Sequence, residues 1–301
     1  MRSRLFVAVV VLAMGARSHA QSHHGTVAIT VDDLPYATAG DRAPTVSDLP
    51  RADSINRAII AALIRRHVPT TGFVIQSRVE QLDGERILHE WTAAHLDLGN
   101  HSYSHPDFNK LSVGQFEDEI VKGEKAIGRE PFFRFPFNHD GDTREKHDSI
   151  AAFLAHRGYH VATCTMQNDD WLFNGRYVRA LAEGDTATAA RVRAAYLQYT
   201  KTEIAYYAGL SKHVLGYEPP QVMLLHDNKL NADMIDSVLT LFEKSHYRFV
   251  TLTTAQKDPA YQIPDTVVTP DGPMWEYRWA RSRGVVVNGR LEEEPPSWIS
   301  Q

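Results

Sequence analysis

Short apolar runs alternate with longer amphipathic segments along most of this 301-residue chain. The amphipathic segments carry apolar residues at helical spacing, as at Ile55, Ile59 and Leu63. Strands and helices that alternate in this way form a parallel sheet covered by helices, so the sequence predicts an α/β fold. The predicted strands cover residues 26–31, 71–75, 96–99, 132–136, 159–165, 221–225 and 247–252, and the main predicted helices cover 53–66, 85–95, 112–127, 143–157 and 232–244.

Composition is that of an ordinary folded protein, with 43% hydrophobic and 23% charged residues. The formal net charge is -5, so there is no basic excess that would attract nucleic acid or an anionic membrane surface. An α/β barrel can use most of a chain of this length as one domain. These numbers therefore favour a globular protein that binds neither nucleic acid nor a membrane, and they leave the oligomeric state open.

The first residues have the pattern of a secretory signal peptide. Arg2 and Arg4 precede the apolar segment 5–14, and small residues precede Gln21. The apolar segment is short for a membrane span, although an uncleaved membrane-anchoring helix is the alternative. We therefore expect cleavage between Ala20 and Gln21 and export to the periplasm or the outside, with no stable membrane anchor.

Two regions depart from the strand and helix alternation. Residues 172–220 are rich in helical pattern and should pack over the barrel mouth or against an edge, and residues 257–301 combine aromatic residues with prolines and charges. The expected organisation is a signal peptide at 1–20, a barrel at 21–256 that includes the insertion, and a C-terminal extension. Cys164 is the only cysteine, so no internal disulfide forms, and its apolar surroundings predict a buried packing residue.

Polar side chains that could carry chemistry follow the predicted strands. Asp32 and Asp33 end the first strand, and His101 and His105 follow the third. The carboxyl ends of parallel barrel strands meet where active sites are built, so we expect these side chains to converge. If the turn between the histidines is helical, their nitrogens reach one point, and one carboxylate completes the ligand set of a catalytic zinc site. The second carboxylate would be free to act as a base.

Five short blocks follow one another between residues 26 and 255. They read Thr30-Val31-Asp32-Asp33, His101-Ser102-Tyr103-Ser104-His105, Arg134-Phe135-Pro136-Phe137, Asp169-Asp170-Trp171 and Leu224-Leu225-His226-Asp227. Their order resembles that of the polysaccharide deacetylases with a NodB homology domain, a group similar to the family 4 carbohydrate esterases. The resemblance implies a distorted (β/α) barrel of about seven parallel strands, here with a helical insertion, and metal-dependent removal of N- or O-linked acetyl groups from carbohydrate.

The resemblance also implies a role for the first three blocks. It makes Asp33, His101 and His105 the metal ligands, and Zn2+ is the expected ion, with Co2+, Ni2+ or Mn2+ as alternatives. It makes Asp32 the general base that takes a proton from metal-bound water. Arg134 would pair with that base and hold its orientation, and its apolar neighbours predict that it is buried.

The last two blocks would protonate the leaving group and hold the acetyl group. By resemblance, His226 is the general acid and Asp170 hydrogen-bonds its second ring nitrogen, with Asp169 as the alternative partner. Trp171 and Leu224 would line a small apolar pocket for the acetyl methyl. They could equally be plain core residues.

The chain departs from the family pattern at three positions. Phe137 stands where the family more often has tyrosine, and it would still supply a backbone N–H to the oxyanion. Val31 replaces a frequent aromatic residue, and Gln167 replaces a usual aspartate. Together with the insertion, these departures leave three interpretations. They are an exported metal-dependent deacetylase of carbohydrate, a metal-dependent amidase or deacetylase of a small substrate, and a barrel that binds glycan without turnover.

Overall fold

The computed structural model describes residues 25–125 and 132–300. Seven parallel strands form one curled sheet in the order β5-β4-β3-β2-β1-β6, and β7 pairs with the beginning of β1. The predicted α/β class and parallel sheet are confirmed. The strands are β1 (Gly25–Leu34), β2 (Thr70–Val74), β3 (Asp97–Asn100), β4 (Phe132–Phe133), β5 (His160–Val161), β6 (Gln221–His226) and β7 (Tyr247–Phe249).

The central strands are buried because helices cover the sheet. Every residue of β2 is buried, as expected for a parallel strand covered on both faces. Strands β4, β5 and β7 are shorter than predicted. Arg134 leaves the strand, and Pro136 begins a tight turn because proline has no N–H to give to a sheet.

Ten α-helices lie in the described part of the chain. Apolar residues of the helices pack against the strands in the hydrophobic core. Ser112 and Gln115 form the predicted capping box at the start of α4, whereas the helix ends earlier than predicted. A short helix, α2, was not predicted. The helices are α1 (Leu49–Arg65), α2 (Gln76–Leu82), α3 (Glu85–Ala93), α4 (Val113–Gly123), α5 (Arg144–His156), α6 (Asp170–Ala182), α7 (Thr186–Leu215), α8 (Lys229–Lys244), α9 (Leu252–Ala255) and α10 (Trp275–Arg283).

The predicted insertion consists of α6 and the long α7, which pack on each other and on α8. Val192, Tyr196 and Leu210 are buried on the inner face of α7. Helix α10 of the C-terminal extension packs against α7, so the extension returns to the barrel. Both added regions therefore join one continuous hydrophobic core with the sheet.

The proposed signal peptide lies outside the described residues. Among the residues that are described, no helix has the length and hydropathy needed to cross a membrane. Cys164 is buried as predicted, and burial raises the pKa of its thiol to about 12.

Candidate active site

Strand β1 delivers two adjacent carboxylates to the carboxyl edge of the sheet. Asp32 is in register with His226 of the neighbouring strand β6. The pairing between β1 and β2 is irregular after Val31, and Asp33 has a φ of 70°. This left-handed residue breaks the alternation of side chains along the strand, so both carboxylates line the same cavity.

The turn that carries the histidines is not helical, so the two imidazoles do not meet as the helical i, i+4 pair considered from the sequence. Ser102 and His105 have φ values of 67° and 59°. Asn100 accepts a hydrogen bond from the Ser102 N–H (2.8 Å), and the Ser102 hydroxyl accepts one from the His105 N–H (3.1 Å). These bonds hold a compact loop in which the centroids of the imidazoles of His101 and His105 lie 4.9 Å apart.

Asp33, His101 and His105 come together in a group that could hold one metal ion. Asp33 Oδ1 lies 3.7 Å from His101 Nε2 and 3.5 Å from His105 Nε2. Ligands of a tetrahedral zinc ion with bonds of about 2.0–2.1 Å lie about 3.4 Å apart, so the spacing fits. Among the described residues, the buried Asp33 Oδ1 has no hydrogen-bond partner. A carboxylate oxygen without a hydrogen-bond partner and two imidazole nitrogens beside it form a set of ligands that suits a divalent cation.

The protonation states of this group also suit a metal. His101 Nδ1 lies 2.8 Å from the carbonyl oxygen of Arg134, which directs a protonated Nδ1 away from the cavity and leaves Nε2 as the donor. Burial lowers the pKa of His101 to about 4, so the imidazole is neutral. Burial by itself would raise the pKa of Asp33, but Arg78, 3.2 Å from Oδ2, helps to lower it well below the usual value.

Arg134 lies behind Asp32 and is fully buried, as predicted. Its Nη1 lies 3.2 Å from Asp32 Oδ2, its Nε donates to the Ala162 carbonyl (2.7 Å), and its Nη2 donates to Thr30 Oγ1 (3.2 Å). The guanidinium also lies over the Phe73 ring. Burial raises the pKa of Asp32, and Arg134 opposes that rise. The base candidate is thus held in one orientation by a fixed cation.

His226 is paired with Asp170 and not with Asp169. Asp170 Oδ1 lies 2.6 Å from His226 Nδ1, and Oδ2 accepts the His226 backbone N–H at 2.7 Å. Asn231 also donates to Oδ2. Burial lowers the pKa of His226, but Asp170 raises it more, and the result is about 10. The imidazole is therefore cationic and can donate a proton. Asp169 instead accepts a hydrogen bond from the Tyr199 hydroxyl at 2.9 Å.

Phe137, Trp171 and Leu224 line a cavity of 470 Å³ together with the two carboxylates and the three histidines. Phe137 has a φ of 58° and is 47% exposed as a residue, and its ring lies beside that of His105. Trp171 is 58% exposed at the rim, so its interpretation as a plain core residue was wrong. Leu224 is buried and forms part of the wall. The cavity is further lined by Ala37, Thr38, Gly40, Phe135, Asn138, Gln167, Asn174, Asn228 and Gly272.

Arg78 and Gly272 are two of the residues of this region that were missed from the sequence. Arg78 lies in the unpredicted helix α2, where it contacts Asp33 and donates to the carbonyl of Tyr36 (3.1 Å). Gly272 comes from the C-terminal extension, and its signal in the sequence was the turn-like run Pro270-Asp271-Gly272-Pro273.

Comparison with known proteins agrees with this geometry. The profile of the polysaccharide deacetylase family matches residues 19–157. The peptidoglycan-N-acetylglucosamine deacetylase PgdA of Listeria monocytogenes is 23% identical over 226 residues, which are 74% of this chain and 41% of that protein. The chain thus spans well under half the length of this relative.

Solved structures share the fold at low sequence identity. A chitin deacetylase from the fungal pathogen Colletotrichum lindemuthianum superposes with a TM-score of 0.55 at 17% identity, over 78% of this chain and 88% of that one. A CE4 family pseudoenzyme from Bacillus anthracis superposes with a TM-score of 0.51 at 18% identity, over 78% and 66%. The resemblance to polysaccharide deacetylases and the curled barrel of that family are confirmed.

Proposed function

We propose that this polysaccharide deacetylase-like protein is an exported, metal-dependent hydrolase that removes acetyl groups from carbohydrate. One observation carries the proposal. The Asp33, His101 and His105 group, the paired base candidate Asp32 and the paired acid candidate His226 all line one cavity. A binding module would need none of this charge arrangement.

Asp33, His101 and His105 would hold the metal, and Zn2+ is the proposed ion. When bound, such an ion polarises the acetyl carbonyl and lowers the pKa of the attacking water. Asp33 brings the negative charge, and the two imidazoles bring neutral nitrogen donors. Three protein ligands leave a position open for water and substrate, which is typical of catalytic rather than structural sites.

Asp32 would accept the proton of the attacking water. Its carboxylate cannot turn away because Arg134 Nη1 contacts both of its oxygens, at 3.4 Å from Oδ1 and 3.2 Å from Oδ2, and Oδ2 also lies 3.8 Å from His101 Nε2. A fixed base loses little free energy on reaching the reactive geometry. Arg134 has no access to the cavity, so its role is to orient Asp32.

His226 would then donate its proton to the departing nitrogen or oxygen. Asp170 holds the imidazole through Nδ1, so Nε2 is the nitrogen left to face the substrate. The Phe137 backbone N–H would donate to the developing oxyanion. The methyl of the acetyl group would lie against Leu224 and Trp171.

An acetylated sugar is the substrate class that best fits the rim of the cavity. The exposed faces of Trp171 and Phe137 flank the opening and offer stacking surfaces for a pyranose ring. The acetylated amino sugars in the names of the peptidoglycan and chitin deacetylases above support the same class.

A small acetylated substrate is a second candidate, and the walls of the cavity favour it. Helix α6 contributes Asn174, the loop after β1 contributes Thr38 and Gly40, and the C-terminal extension contributes Gly272. These walls narrow the space in which the neighbouring units of a long polymer would have to lie.

Acetate release tests the proposal and separates the two candidates. Purified protein, stripped of metal and reloaded with Zn2+ or Co2+, is incubated with chitin oligomers of increasing length, peptidoglycan, acetylated xylan and small acetamides. We expect metal-dependent acetate release from the saccharides. Release from small acetamides alone would support the second candidate, and binding of glycan without acetate release from any substrate would overturn both. N-terminal sequencing of protein recovered outside the cytoplasm tests export and cleavage before Gln21.

A further inference from the structure

The C-terminal extension touches the active site at Gly272. A Cβ atom at this position would lie 2.1 Å from the Phe137 carbonyl oxygen and 2.9 Å from Asn138 Cβ. The backbone of Gly272 lies outside the left-handed region, so glycine is needed here for space and not for its conformational freedom. The extension can therefore lie directly against the turn that carries the proposed oxyanion donor.

That turn has an unfavourable backbone. Phe137 and Asn138 are consecutive non-glycine residues with φ values of 58° and 56°. Each such residue costs on the order of 1 kcal/mol or more, so the surrounding structure has to hold the turn in place. Within the barrel, Asn138 N–H donates to the Phe135 carbonyl (3.0 Å) and Asn138 Oδ1 lies 3.5 Å from Cys164 Sγ.

Further contacts attach the extension on both sides of Gly272. Asn109 Nδ2 donates to the carbonyl of Pro270 (2.7 Å), and the Trp275 N–H donates to the carbonyl of Cys164 (2.9 Å). The segment that carries Gly272 is thus hydrogen-bonded to two barrel loops, through one residue before Gly272 and one residue after it.

A buried ion cluster completes the attachment. Arg278 of α10 donates to both oxygens of Asp140 (2.7 and 2.9 Å) and to Asp265 Oδ2 (2.6 Å). These two carboxylates and His147 could hold a metal by spacing alone, but the guanidinium already satisfies the same oxygens. The cluster is therefore an ion-pair network that connects the extension to Asp140, two residues after the Phe137–Asn138 turn.

We propose that Gly272 is a positioning residue, through which the C-terminal extension holds the Phe137–Asn138 turn so that the Phe137 N–H faces the acetyl carbonyl. The inference rests on the proposed deacetylase function. It assigns to the extension a part in transition-state stabilisation, in addition to its packing on α7.

Gly272→Ala tests this role, with Gly289→Ala as the matched control in the same extension. At Gly289 the added Cβ would have its nearest contact at 3.7 Å, with Tyr277, so nothing has to move. At Gly272 the Phe137 carbonyl has to shift by about 1 Å, a misplacement that can cost roughly a hundredfold in rate. We expect Gly272→Ala to lower kcat at least tenfold with KM and bound metal close to those of the wild type and a Tm still well above the assay temperature, and Gly289→Ala to behave as the wild type.

Hydrogen exchange of the peptide that spans residues 135–140 gives a readout that does not depend on activity. We expect faster exchange there in Gly272→Ala than in Gly289→Ala. A kcat within twofold of the wild type and unchanged exchange would overturn the inference. So would a loss of kcat that is fully explained by lost metal or by unfolding at the assay temperature. If Gly272→Ala does not fold, Asn109→Ala removes the bond to Pro270 without adding an atom, and an unchanged kcat in that variant overturns the inference. A wild type that releases no acetate, with the expected exchange difference present, would refute the deacetylase function alone.

Discussion

Substitution of Asp170 by asparagine is the sharpest test of the proposed acid. All groups that contact the Asp170 carboxylate are donors, namely the ring and backbone nitrogens of His226 and the side-chain amides of Asn228 and Asn231. An asparagine at this position keeps one oxygen and replaces the other with an NH2 group. Whichever way the amide turns, it sets a donor against a donor and removes the negative charge beside the imidazole.

The size of the effect follows from the lost bond. A hydrogen bond to a charged group contributes about 1.5–3 kcal/mol, which corresponds to roughly 10- to 150-fold in rate if it acts fully in the transition state. We therefore expect Asp170→Asn to lower kcat within that range and to keep the metal. Asp170 raises the pKa of His226, so its removal lowers that pKa. The protonated acid is then lost at lower pH, and the alkaline limb of the kcat profile moves toward acid.

Asp169→Asn is the matched control, since it is the adjacent residue with the same chemical change. Asp169 is bonded to Tyr199. Acetate release across about pH 5 to 11, with metal content measured on the same samples, compares the two variants, because this range contains both the ordinary pKa of histidine and the raised pKa of His226, about 10. A larger loss in Asp169→Asn, or an unshifted alkaline limb in Asp170→Asn, would refute the assignment of His226 and Asp170 as acid and partner.

Three further outcomes are expected. Asp32→Asn should lower acetate release by about a hundred- to ten-thousand-fold while metal stays bound, because the base is lost and the ligands remain; retained activity would remove Asp32 from the mechanism. His101→Ala should lose most of its metal by elemental analysis, because one of three protein ligands is gone, and full occupancy would contradict the ligand set. Iodoacetamide should leave acetate release unchanged under native conditions because Cys164 is buried and its pKa is raised to about 12; rapid inactivation would mean that the thiol is accessible.

The sheet was predictable from the sequence because each strand is marked by a pattern of neighbouring residues. Apolar runs of strand length between helical patterns marked every strand, and the polar residues after them marked the edge where the cavity lies. The motif order then added roles that spacing alone could not supply. Arg134 shows the limit of that reasoning: burial was predicted from its apolar neighbours, while its bonds to the Ala162 carbonyl and Thr30 depend on strands far apart in sequence.

The missed features depend on tertiary contacts. Helix α2 has seven residues, too few for an apolar period to stand out, so the position of Arg78 beside Asp33 was hidden. The contact of Gly272 with the Phe137 carbonyl joins segments more than a hundred residues apart. The choice between Asp169 and Asp170 also needed the coordinates, because two adjacent carboxylates at a helix start are equivalent in sequence.

The backbone of the site explains why its detailed shape escaped prediction. Ten non-glycine residues in the described part of the chain have positive φ, and six of them lie in the loops that build this cavity. Asp, Asn and His are enriched at positive φ, but most residues of these types have negative φ, so the sequence alone does not single out these positions. The unfavourable conformational free energy of these residues is offset by the packing of the buried sheet and by long-range contacts such as those of the extension. The left-handed backbone at Asp33 directs its carboxylate toward the imidazoles, next to the carboxylate of Asp32. The proposed metal ligand and the proposed base therefore lie side by side, which the alternating side chains of a regular strand would not permit. The six residues are Asp33, Ser102, His105, Phe137, Asn138 and Asp169.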